Sequence, residues 1–514
     1  MSEKKVLKVL EENPTGLSIT DIAEKANLHR NTVATVVRRL QDKKAVELKK
    51  VGLAKVYYLK HYQALHHIES AYKGQNLSVG LGVSDLADGY KAAVSAAKQA
   101  VNQSGRGEQP TFAIVFVSSR YNDQLSAVVT GLNQILGENT YIGCTTDREI
   151  NSLSGFCQGT VSVLTLNTKY LHFGVGVAEY YIKQPFEAGK KATKEAIDNC
   201  PVDRSNYATA QFMRGTKKAF AEIVKNPPYF ALTFVGGVRF ENKEVVPSFE
   251  HEFLEGIKEI LGPFIPIVGG SAGSDFDKVD DFEGENYVLA KGKFYKGGAA
   301  VCFVVSELFF SYGLEQGYIS TEKYGVITKV SDNGRMIDEI NNLPALEEYC
   351  KLTGLKKETF LKNPSQYLSL SSMCTLDSAG NLYPIGMTMA SADPKETRFY
   401  SQQKFIKGTL FAIGKYDEKK TINSTMLAIQ EACIDNEDKM PVLAININCA
   451  TRRFLLGDKV NDELAMLQKD PKHKDMVFFG FHSFGEIGAK RNQPSSYLAT
   501  TSTCLVIFDK LMVE

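Results

Sequence analysis

Several patterns that mark particular classes of protein are missing from this sequence. Its nine cysteines form no CxxC pair and no cysteine–histidine cluster, so neither a structural zinc site nor a disulfide framework is expected. There is no Walker A motif, and Gly174-Val-Gly176 lacks the third glycine of a dinucleotide-binding loop. Apolar stretches such as residues 297–310 are shorter than the ~20 residues that span a bilayer. The N-terminus also lacks the apolar core of a signal peptide. We therefore expect a cytoplasmic protein in a reducing compartment, without a membrane partner.

Charge is unevenly distributed along the chain. The net charge is only +1, but residues 1–60 hold 13 basic and 7 acidic residues, whereas the rest holds 47 basic and 52 acidic residues. A basic N-terminal segment on a mildly acidic body is typical of a protein whose one end contacts a polyanion. The alternative is a basic, solvated N-terminus without a partner.

The first 60 residues have the spacing of a small helical domain. Apolar residues at helical intervals predict three helices, the second N-capped by Thr20 and the third running from about Arg30 to Lys43. Two extended runs at 45–48 and 55–59, joined by residues 49–54, predict a β-hairpin. This order resembles the winged helix-turn-helix of prokaryotic regulators.

In a helix-turn-helix the start of the recognition helix enters the major groove of DNA. Arginine and asparagine supply the paired hydrogen bonds that base edges require, threonine contacts phosphates or thymine methyl groups, and lysines of the wing neutralise phosphates. The predicted DNA-binding residues are His29, Arg30, Asn31, Thr32, Thr35, Arg38, Arg39, Lys49, Lys50 and Lys55. The alternative is a winged helix used for protein contacts, with these residues as a solvated face.

Past residue 110 a strand–helix–strand pattern recurs three times, which predicts parallel βαβ units. The predicted first strands are 111–117, 229–235 and 442–447; the helices are 123–136, 248–261 and 459–467; the second strands are 140–142, 264–268 and 476–479, each ending at glycine. A further apolar run follows each unit, at 159–166, 298–305 and 500–508. Glu149-Ile150 and Glu486-Ile487 stand at the same offset from the glycines of their units. Because ligands bind beyond the carboxyl ends of strands, the segments 144–149, 270–275 and 481–486 are the candidate ligand loops.

Five segments of this body resemble the FIST sensory family. They read IGCTTDREI at 142–150, PIVGGSAGSDF at 266–276, ENYVLAKGKFYKGGAAV at 285–301, INCATRRFLLG at 447–457 and GFHSFGEIG at 480–488. The resemblance covers roughly residues 77–508 and implies a small-ligand sensor coupled to a signalling output, with amino acids as the ligands proposed for the family. One position departs from the family pattern, because Arg148 stands where glycine is usual.

A free amino acid needs a donor fork for its carboxylate and an acceptor for its ammonium group. Arg452 and Arg453 follow the first strand of the third unit and are candidates for the fork. The predicted ligand-binding residues are Thr145, Thr146, Glu149, Ser271, Asp275, Arg452, Arg453, His482 and Glu486. The alternative for the two arginines is pairing with nearby surface acids, and for His482 it is a packed or capping role.

Two other readings of the body remain open from the sequence. Residues 269–273 match the Gly-x-Ser-x-Gly elbow of serine hydrolases, with Ser271 as nucleophile, but the residues that follow read as an acidic loop rather than the helix that an elbow requires. The resemblance also implies haem as an alternative, since some FIST sensors hold it through a histidine. The histidines of the body that could serve are His172, His251, His473 and His482.

The expected fold is α/β, with an N-terminal winged helix-turn-helix and a large mixed α/β sensory module of repeated βαβ units. The expected domains are residues 1–62 for the winged helix, 63–76 for a linker, 77–310 for a FIST N-like domain and 311–514 for a FIST C-like domain. The expected function is a ligand-responsive DNA-binding transcriptional regulator, working as a homodimer because paired helix-turn-helix modules read two half-sites. We predict no catalytic residue, no metal ligand and no cofactor; a haem or redox sensor and a hydrolase are the alternatives.

Overall fold

The structure is a computed structural model of the 514-residue chain. It describes residues 2–11, 13, 17–42, 46–51, 54–59, 71–105, 109–203, 228–237, 239–241, 244–246, 248–274, 285–391, 393, 395–434, 436–470, 472–473 and 475–512. Most of the linker predicted at 63–76 lies outside these ranges.

The N-terminal domain has the helix order that the sequence predicts. Its elements are α1 Ser2–Glu11, α2 Ile19–Ala26, α3 Arg30–Asp42, β1 Val46–Val51 and β2 Ala54–Leu59. The predicted cap of α2 at Thr20 is wrong. Ser18 is the N-cap, because its hydroxyl accepts the Asp21 N–H at 3.2 Å while Asp21 bonds back to the Ser18 backbone. The core contains Val6, Leu10, Ile22, Val33, Val37 and Leu40.

The wing is a regular two-stranded ladder with longer strands than the sequence predicts. β1 pairs with β2 from Val46↔Leu59 to Val51↔Ala54, so Lys49 and Lys50 lie in a strand rather than in the connecting loop. The hairpin is tied to the helices by Leu17, which exchanges two backbone hydrogen bonds with Tyr57 at 2.9 and 2.8 Å. This bridge fixes where the wing stands beside the helices.

The body contains three units of the same architecture, after a short strand, β3 Ala71–Lys73. Each unit runs strand, helix, strand, helix, strand, hairpin, strand. Unit 1 consists of β4 Ser78–Ser84, α4 Gly89–Ser104, β5 Phe112–Ser118, α5 Leu125–Leu136, β6 Tyr141–Thr146, the hairpin β7 Glu149–Asn151 with β8 Gly155–Cys157, and β9 Val161–Asn167.

Unit 2 repeats this order and adds a small hairpin after its second strand. It consists of β10 Leu171–Ala178, α6 Pro185–Asp198, β11 Tyr229–Val235, the added pair β12 Arg239–Glu241 and β13 Glu244–Val246, α7 Glu250–Leu261, β14 Ile267–Ser271, the hairpin β15 Tyr287–Ala290 with β16 Lys293–Lys296, and β17 Ala299–Ser306.

Unit 3 begins with β18 Leu308–Gln316 and is then interrupted by an inserted α+β subdomain with its own core. The insertion consists of β19 Tyr318–Ser331, β20 Met336–Ile340, β21 Leu343–Pro344, α8 Ala345–Thr353, α9 Lys357–Phe360, α10 Pro364–Leu370, β22 Ser371–Leu376, β23 Leu382–Pro384, β24 Met387–Met389, β25 Phe399–Ser401 and β26 Leu410–Tyr416. Arg335 of the insertion pairs with Glu252 of unit 2 at 2.6 Å.

Unit 3 resumes after the insertion with α11 Glu418–Cys433, β27 Pro441–Cys449, α12 Ala450–Leu456, α13 Val460–Lys469, β28 Val477–Ser483, the hairpin β29 Glu486–Gly488 with β30 Ser496–Leu498, and β31 Thr501–Leu511. The short helix α12 was not predicted, whereas the strands and helices predicted for all three repeats are present. The prediction of parallel pairs is also confirmed, since β5 and β6, β11 and β14, and β27 and β28 are parallel.

The three units exchange their hairpins in a closed ring. The hairpin β7–β8 of unit 1 joins the sheet of unit 3 by pairing with β28, and the hairpin β29–β30 of unit 3 joins the sheet of unit 2 by pairing with β14. The hairpin β15–β16 of unit 2 joins the sheet of unit 1 by pairing with β6. Each sheet therefore contains strands from two units, and no unit completes its sheet alone.

The glycines that the sequence places at strand ends lie inside the strands. Gly143, Gly269 and Gly480 stand opposite Val115, Thr233 and Asn446, and a Cβ atom on each glycine would lie 1.8 to 1.9 Å from the carbonyl oxygen of that partner. Glycine is therefore required by the close approach of two parallel strands. The strands continue past it to Thr146, Ser271 and Ser483 because the partner strands continue in register.

Aromatic rings from all three units meet at the centre of the body. Phe116 of β5, Phe234 of β11 and Phe481 of β28 form a triangle with centroid distances of 5.5, 4.5 and 5.9 Å. These rings belong to the largest buried apolar cluster of the described chain. Among the helices that the structure describes, none is both long and apolar enough to cross a bilayer.

Candidate functional site

The recognition helix α3 presents a polar face to solvent. Its apolar face, Val33, Val36, Val37 and Leu40, is buried in the domain core. The predicted DNA-binding residues of the opposite face are exposed, namely His29, Arg30, Asn31, Thr32, Thr35, Arg38 and Arg39. Lys55 of the wing is exposed as well, whereas the side chains of Lys49 and Lys50 lie outside the described set.

Local hydrogen bonds order the start of α3. The Asn31 N–H donates to His29 Nδ1 at 3.3 Å, and the Thr35 hydroxyl donates to the Asn31 carbonyl at 3.0 Å. Arg39 lies 3.6 Å from Glu3, so one of the basic side chains is partly neutralised by α1. The exposed face therefore combines base-reading residue types with positive charge, which is what a major-groove contact requires.

The three segments predicted to form the ligand loops meet at one junction in the body. The Gly273 N–H donates to the Thr145 carbonyl at 2.9 Å, and the His482 N–H donates to the Arg148 carbonyl at 2.8 Å. The Ser271 N–H donates to the Gly485 carbonyl at 2.9 Å, which joins the second segment to the third. The segments are thus neighbours, although most of their residues are strand rather than loop. Arg148 has no positive φ, so its position does not need glycine.

Two buried glutamates at the junction are held by hydroxyl groups in the same way. Glu149 accepts hydrogen bonds from Thr146 and, at 2.6 Å, from Thr160. Glu486 accepts from Ser483 at 2.6 Å and from both the N–H and the hydroxyl of Thr501 at 3.0 Å. In both cases a hydroxyl residue stands three positions before the glutamate, which explains the shared Glu-Ile offset as a structural motif.

Ser271 is fully buried and donates its hydroxyl hydrogen bond to Glu250 at 3.0 Å. It lies at the end of β14 and is followed by residues 272–274, which belong to no helix or strand, and not by the helix of a nucleophile elbow. The Gly-x-Ser-x-Gly match therefore does not have the local geometry of a hydrolase. Thr145 is buried too, and its oxygen accepts the Tyr287 N–H at 2.9 Å. Asp275 lies outside the described residues.

Arg453 already pairs with an acid, as the alternative interpretation of the sequence had it, but this acid is buried and distant in the sequence instead of being a nearby surface residue. Its Nε and Nη2 atoms donate to the two carboxylate oxygens of Asp147, each at 2.9 Å. The Asp147 side chain is fully buried and that of Arg453 is 16% exposed. The pair joins unit 3 to unit 1, so Arg453 works as a fork for a carboxylate of the chain itself. The sequence signal was the acid inside the TTDRE segment.

Arg452 is a fully buried arginine in unit 3. Its Nη2 atom donates to Glu463, to the Ser424 hydroxyl at 2.6 Å and to the Thr421 carbonyl at 2.9 Å. The acid that it pairs with is buried rather than on the surface, because α13 carries Glu463 onto the same face of the sheet. Its Nε and Nη1 atoms have no hydrogen-bond partner among the described residues.

Two asparagines beside Arg452 were missed in the sequence. Asn446 and Asn448 are buried on β27, and they alternate in an apolar strand that is covered on both faces. Asn446 Nδ2 donates to the Thr503 carbonyl at 3.1 Å, and Asn448 Nδ2 donates to Glu463 at 3.1 Å. These acceptors fix the orientation of both amides, and both Oδ1 atoms lack a partner in the described part of the chain. The sequence signal that could have identified them is the recurrence of a polar residue at every second position within an otherwise apolar, buried strand.

His482 stands beside Asn448 in the parallel ladder of β27 and β28. Its ring is fully buried, stacks on Phe156 of the exchanged hairpin at 5.3 Å, and has no partner for either nitrogen among the described residues. Burial, followed by the charges of Arg453, Arg452 and Arg148, holds the pKa of His482 well below its usual value. The imidazole is therefore neutral at physiological pH.

Haem does not fit the described histidines. A haem site needs a wide apolar slot beside the axial imidazole, whereas His482 lies between Phe156 and the arginines. His172 and His473 pair with Glu307 and Asp470, at 3.6 and 3.0 Å. Two open clefts on the described surface are lined mainly by lysines and glutamates, and none of the four histidines borders them. The described residues contain no group of three potential metal ligands.

The pH dependence of stability tests the burial of Glu486. Burial raises the pKa of this carboxyl from 4.5 to about 7, against the hydrogen bonds from Ser483 and Thr501. The folded protein therefore keeps a proton that the unfolded chain releases, and the free energy of unfolding falls as pH rises from about 5 to about 7, by up to about 1.4 kcal/mol per pH unit. Urea unfolding across this window should show a smaller slope for Glu486→Gln.

The matched control is Glu322→Gln, which removes an exposed carboxylate of the insertion. We expect this control to follow the slope of the wild type. If Glu486→Gln also follows the wild type, Glu486 does not exchange its proton in this range and the assignment fails.

Asp509 on β31 fixes the first part of the body that follows the linker from the winged-helix domain. Its carboxylate accepts the Tyr72 hydroxyl at 2.8 Å and the N–H groups of Gln75 and Asn76, each at 3.0 Å. Burial, aided by Asp509, raises the pKa of Tyr72 to about 12, so this hydrogen bond keeps its proton at physiological pH. The last strand of unit 3 therefore holds the first described segment after the linker.

The comparisons with known proteins agree with this architecture. Residues 2–47 match the family described as winged helix-turn-helix DNA-binding, residues 111–343 match the FIST N domain, and residues 345–489 match the FIST C domain. The comparison with curated proteins found no match.

Two solved structures give only a weak likeness. A cyanuric acid hydrolase from A. caulinodans is 10% identical over 50% of this chain and 76% of that chain, with a TM-score of 0.23. Phosphoribosylformylglycinamidine synthase II from Thermotoga maritima is 11% identical over 87% of this chain and 76% of that chain, with a TM-score of 0.21. Such scores carry no argument about activity. The two FIST matches together span more than half of the sequence, so this chain is a FIST-family protein with an N-terminal winged helix-turn-helix DNA-binding domain.

Proposed function

We propose that the protein is a cytoplasmic transcriptional regulator whose winged helix reads DNA and whose FIST body binds a small molecule that changes DNA affinity. The observation that carries the proposal is the exposure of Arg30, Asn31 and Arg38 on the face of α3 opposite the domain core. The winged-helix domain carries a net positive charge, whereas the body is mildly acidic. This difference supports a polyanionic partner for the winged-helix domain alone.

Fewer residues remain candidates for ligand contacts than the sequence suggested. Most of the predicted ligand residues already form hydrogen bonds within the chain: Thr146 with Glu149, Ser271 with Glu250, Glu486 with Ser483, and Arg453 with Asp147. Arg452 and His482 alone among the predicted ligand residues carry polar atoms without a partner in the described chain. We therefore place the ligand contacts of the body on the side of these two residues.

A single strand, β31, runs from the neighbourhood of Arg452 and His482 to Asp509, which holds the segment after the linker. β31 carries Ser502, whose hydroxyl lies 2.8 Å from Asn446 Nδ2, and further along it carries Asp509. Asp509 stands seven positions after Ser502, which corresponds to roughly 23 Å of extended chain. A ligand that has a higher affinity for one of two placements of β31 would shift the segment that Asp509 holds. This shift would in turn change the spacing of the two winged-helix domains of a homodimer on paired half-sites.

The experiment is a DNA-binding titration with dialysed full-length protein, before and after addition of a deproteinised small-molecule extract of the source cells. We expect the dissociation constant for DNA to change about 5- to 150-fold, the usual range of allosteric coupling. Strong DNA binding that no fraction of the extract alters would reject the sensor half of the proposal, and absence of salt-dependent DNA binding would reject the regulator half.

A further inference from the structure

We propose that the polar layer of unit 3, formed by Asn446, Asn448, Arg452 and His482 around Glu463, is a binding site for a small molecule without net charge that carries both a carbonyl or carboxylate oxygen and N–H donors. This inference rests on the proposed function, because it names the site and the ligand chemistry of the sensor. It goes beyond it in that two of the residues, Asn446 and Asn448, belong to no predicted site.

The polar layer contains hydrogen-bonding groups that the fold leaves without partners. Arg452 has two such nitrogens, His482 has both ring nitrogens, and each asparagine has its Oδ1 atom, all buried and all without a partner among the described residues. A buried polar group left unpaired costs about 1–3 kcal/mol. An occupant that supplies both acceptors and donors would satisfy all six of these atoms, which lie on adjoining residues.

The other two units show that the fold does not need a polar layer. The ladder pairs that correspond to Asn448↔His482 are Val117↔Thr145 in unit 1 and Val235↔Ser271 in unit 2. Val117 packs in an apolar cluster with the alanines of α4, and Val235 packs with those of α6. Only unit 3 replaces the valine by asparagine and adds a buried ion pair beside it, so this polarity is particular to unit 3 and is not a requirement of the repeated architecture.

The free atoms define the chemistry of the occupant. Arg452 Nε and Nη1 are donors and call for an oxygen acceptor, whereas the two Oδ1 atoms are acceptors and call for N–H donors. The Arg452 charge is already balanced by Glu463, and His482 is neutral, so an additional net charge would be buried without a counter-ion. A simple anion or a simple cation satisfies only half of the layer.

The exchanged hairpin covers one side of the polar layer. Phe156 of β8 is half-buried and its ring covers the His482 imidazole, with centroids 5.3 Å apart. β8 also contacts α13, which carries Glu463. Movement of Phe156 with its hairpin would open the layer, and it would do so at the sheet edge where unit 1 joins unit 3.

The experiment uses three probes of the full-length protein: acetamide, which has an oxygen acceptor and N–H donors; acetate, which has acceptors only; and methylammonium, which has donors only. We expect acetamide to raise Tm with an apparent Kd at least about tenfold lower than either ion. Crystals grown with acetamide should show it between Arg452 and the two asparagines.

The variants separate ligand binding from packing. Asn448→Val and Asn446→Thr copy the residues of unit 2 at the equivalent positions, Val235 and Thr233, so each has a precedent in this fold. We expect both to lose the acetamide shift, while Asn139→Val, an exposed change, keeps it. If only one variant folds, its response is sufficient.

Three outcomes would overturn the proposal. They are equal shifts by acetamide and the two ions, an acetamide shift that persists in both layer variants, and crystals with acetamide in which water alone contacts the four side chains. Since Tm and the crystal are read without DNA, failure here leaves the DNA-binding titration untouched, and loss of DNA response alone leaves the binding site standing.

Discussion

Replacing Arg30 by alanine should weaken binding of the full-length protein to its DNA site about 10- to 100-fold, corresponding to about 1–3 kcal/mol for a side chain that reads a base edge. Arg30 opens α3 and is exposed, and α3 is the helix that a winged helix-turn-helix inserts into the major groove. The loss should be larger on the specific site than on unrelated DNA, because phosphate contacts made by the other basic residues remain. Fluorescence anisotropy with both duplexes measures this difference.

Lys98→Ala is the matched control, since Lys98 is an exposed cation on α4 of the body. Its removal changes the total charge as the Arg30 variant does, but it should leave DNA affinity within about twofold, because exposed charges beyond the contact surface are screened by salt. Equal losses in the two variants would mean that DNA responds to total charge and not to the recognition helix.

Replacing Arg453 by alanine should destabilise the body by about 3 kcal/mol. The change leaves the fully buried Asp147 without its bidentate partner, and breaking a buried ion pair from one side typically costs about 3–5 kcal/mol. Arg148, whose Nη1 lies 3.7 Å from Asp147, retains part of the compensation, which places the expected value at the lower end. Urea unfolding monitored on the body should show the loss as a lower midpoint.

Two further variants test whether the loss of stability comes from the buried charge of Asp147. Lys459→Ala breaks an ion pair of comparable contact distance, 2.6 Å to Glu418, whose side chains are 53% and 47% exposed, and it should cost less than about 1 kcal/mol. Asp147→Asn combined with Arg453→Ala removes the buried carboxylate charge that has lost its bidentate partner, and it should recover part of the stability. If Arg453→Ala costs no more than Lys459→Ala, the pair does not hold unit 1 to unit 3.

The sequence predicted the repeat well because each repeat is a local pattern. An apolar strand, an amphipathic helix and a second strand with a glycine can be read within about 40 residues, and the observed β11 and α3 begin at the residues that were predicted. The exchange of hairpins could not be read in this way. Residues 149–151 of the hairpin pair with β28 more than 300 positions later, and nothing in the composition of residues 149–157 distinguishes a hairpin that returns to its own unit from one that joins another.

The candidate site was predicted in part for the same reason. The predicted loops meet because strand ends of a closed ring of units are brought to one junction, which the repeat implied. The pairing of side chains within the junction was not accessible, since Arg453 and Asp147 are 306 residues apart. The sequence shows Asn446 inside a predicted buried strand and Asn448 directly after it, but only the structure shows that their Oδ1 atoms face no partner in the described chain.

One coupling is central to the proposed function, namely that between a small molecule in the polar layer of unit 3 and DNA held by α3. The most direct measurement is the DNA affinity of dialysed wild-type protein and of the Asn448→Val variant, each titrated with the same deproteinised extract of the source cells. We expect the extract to change the DNA affinity of the wild type at least about fivefold and to leave that of the variant unchanged, with both proteins binding DNA equally without extract. An extract that alters both proteins alike, or neither, would contradict this coupling.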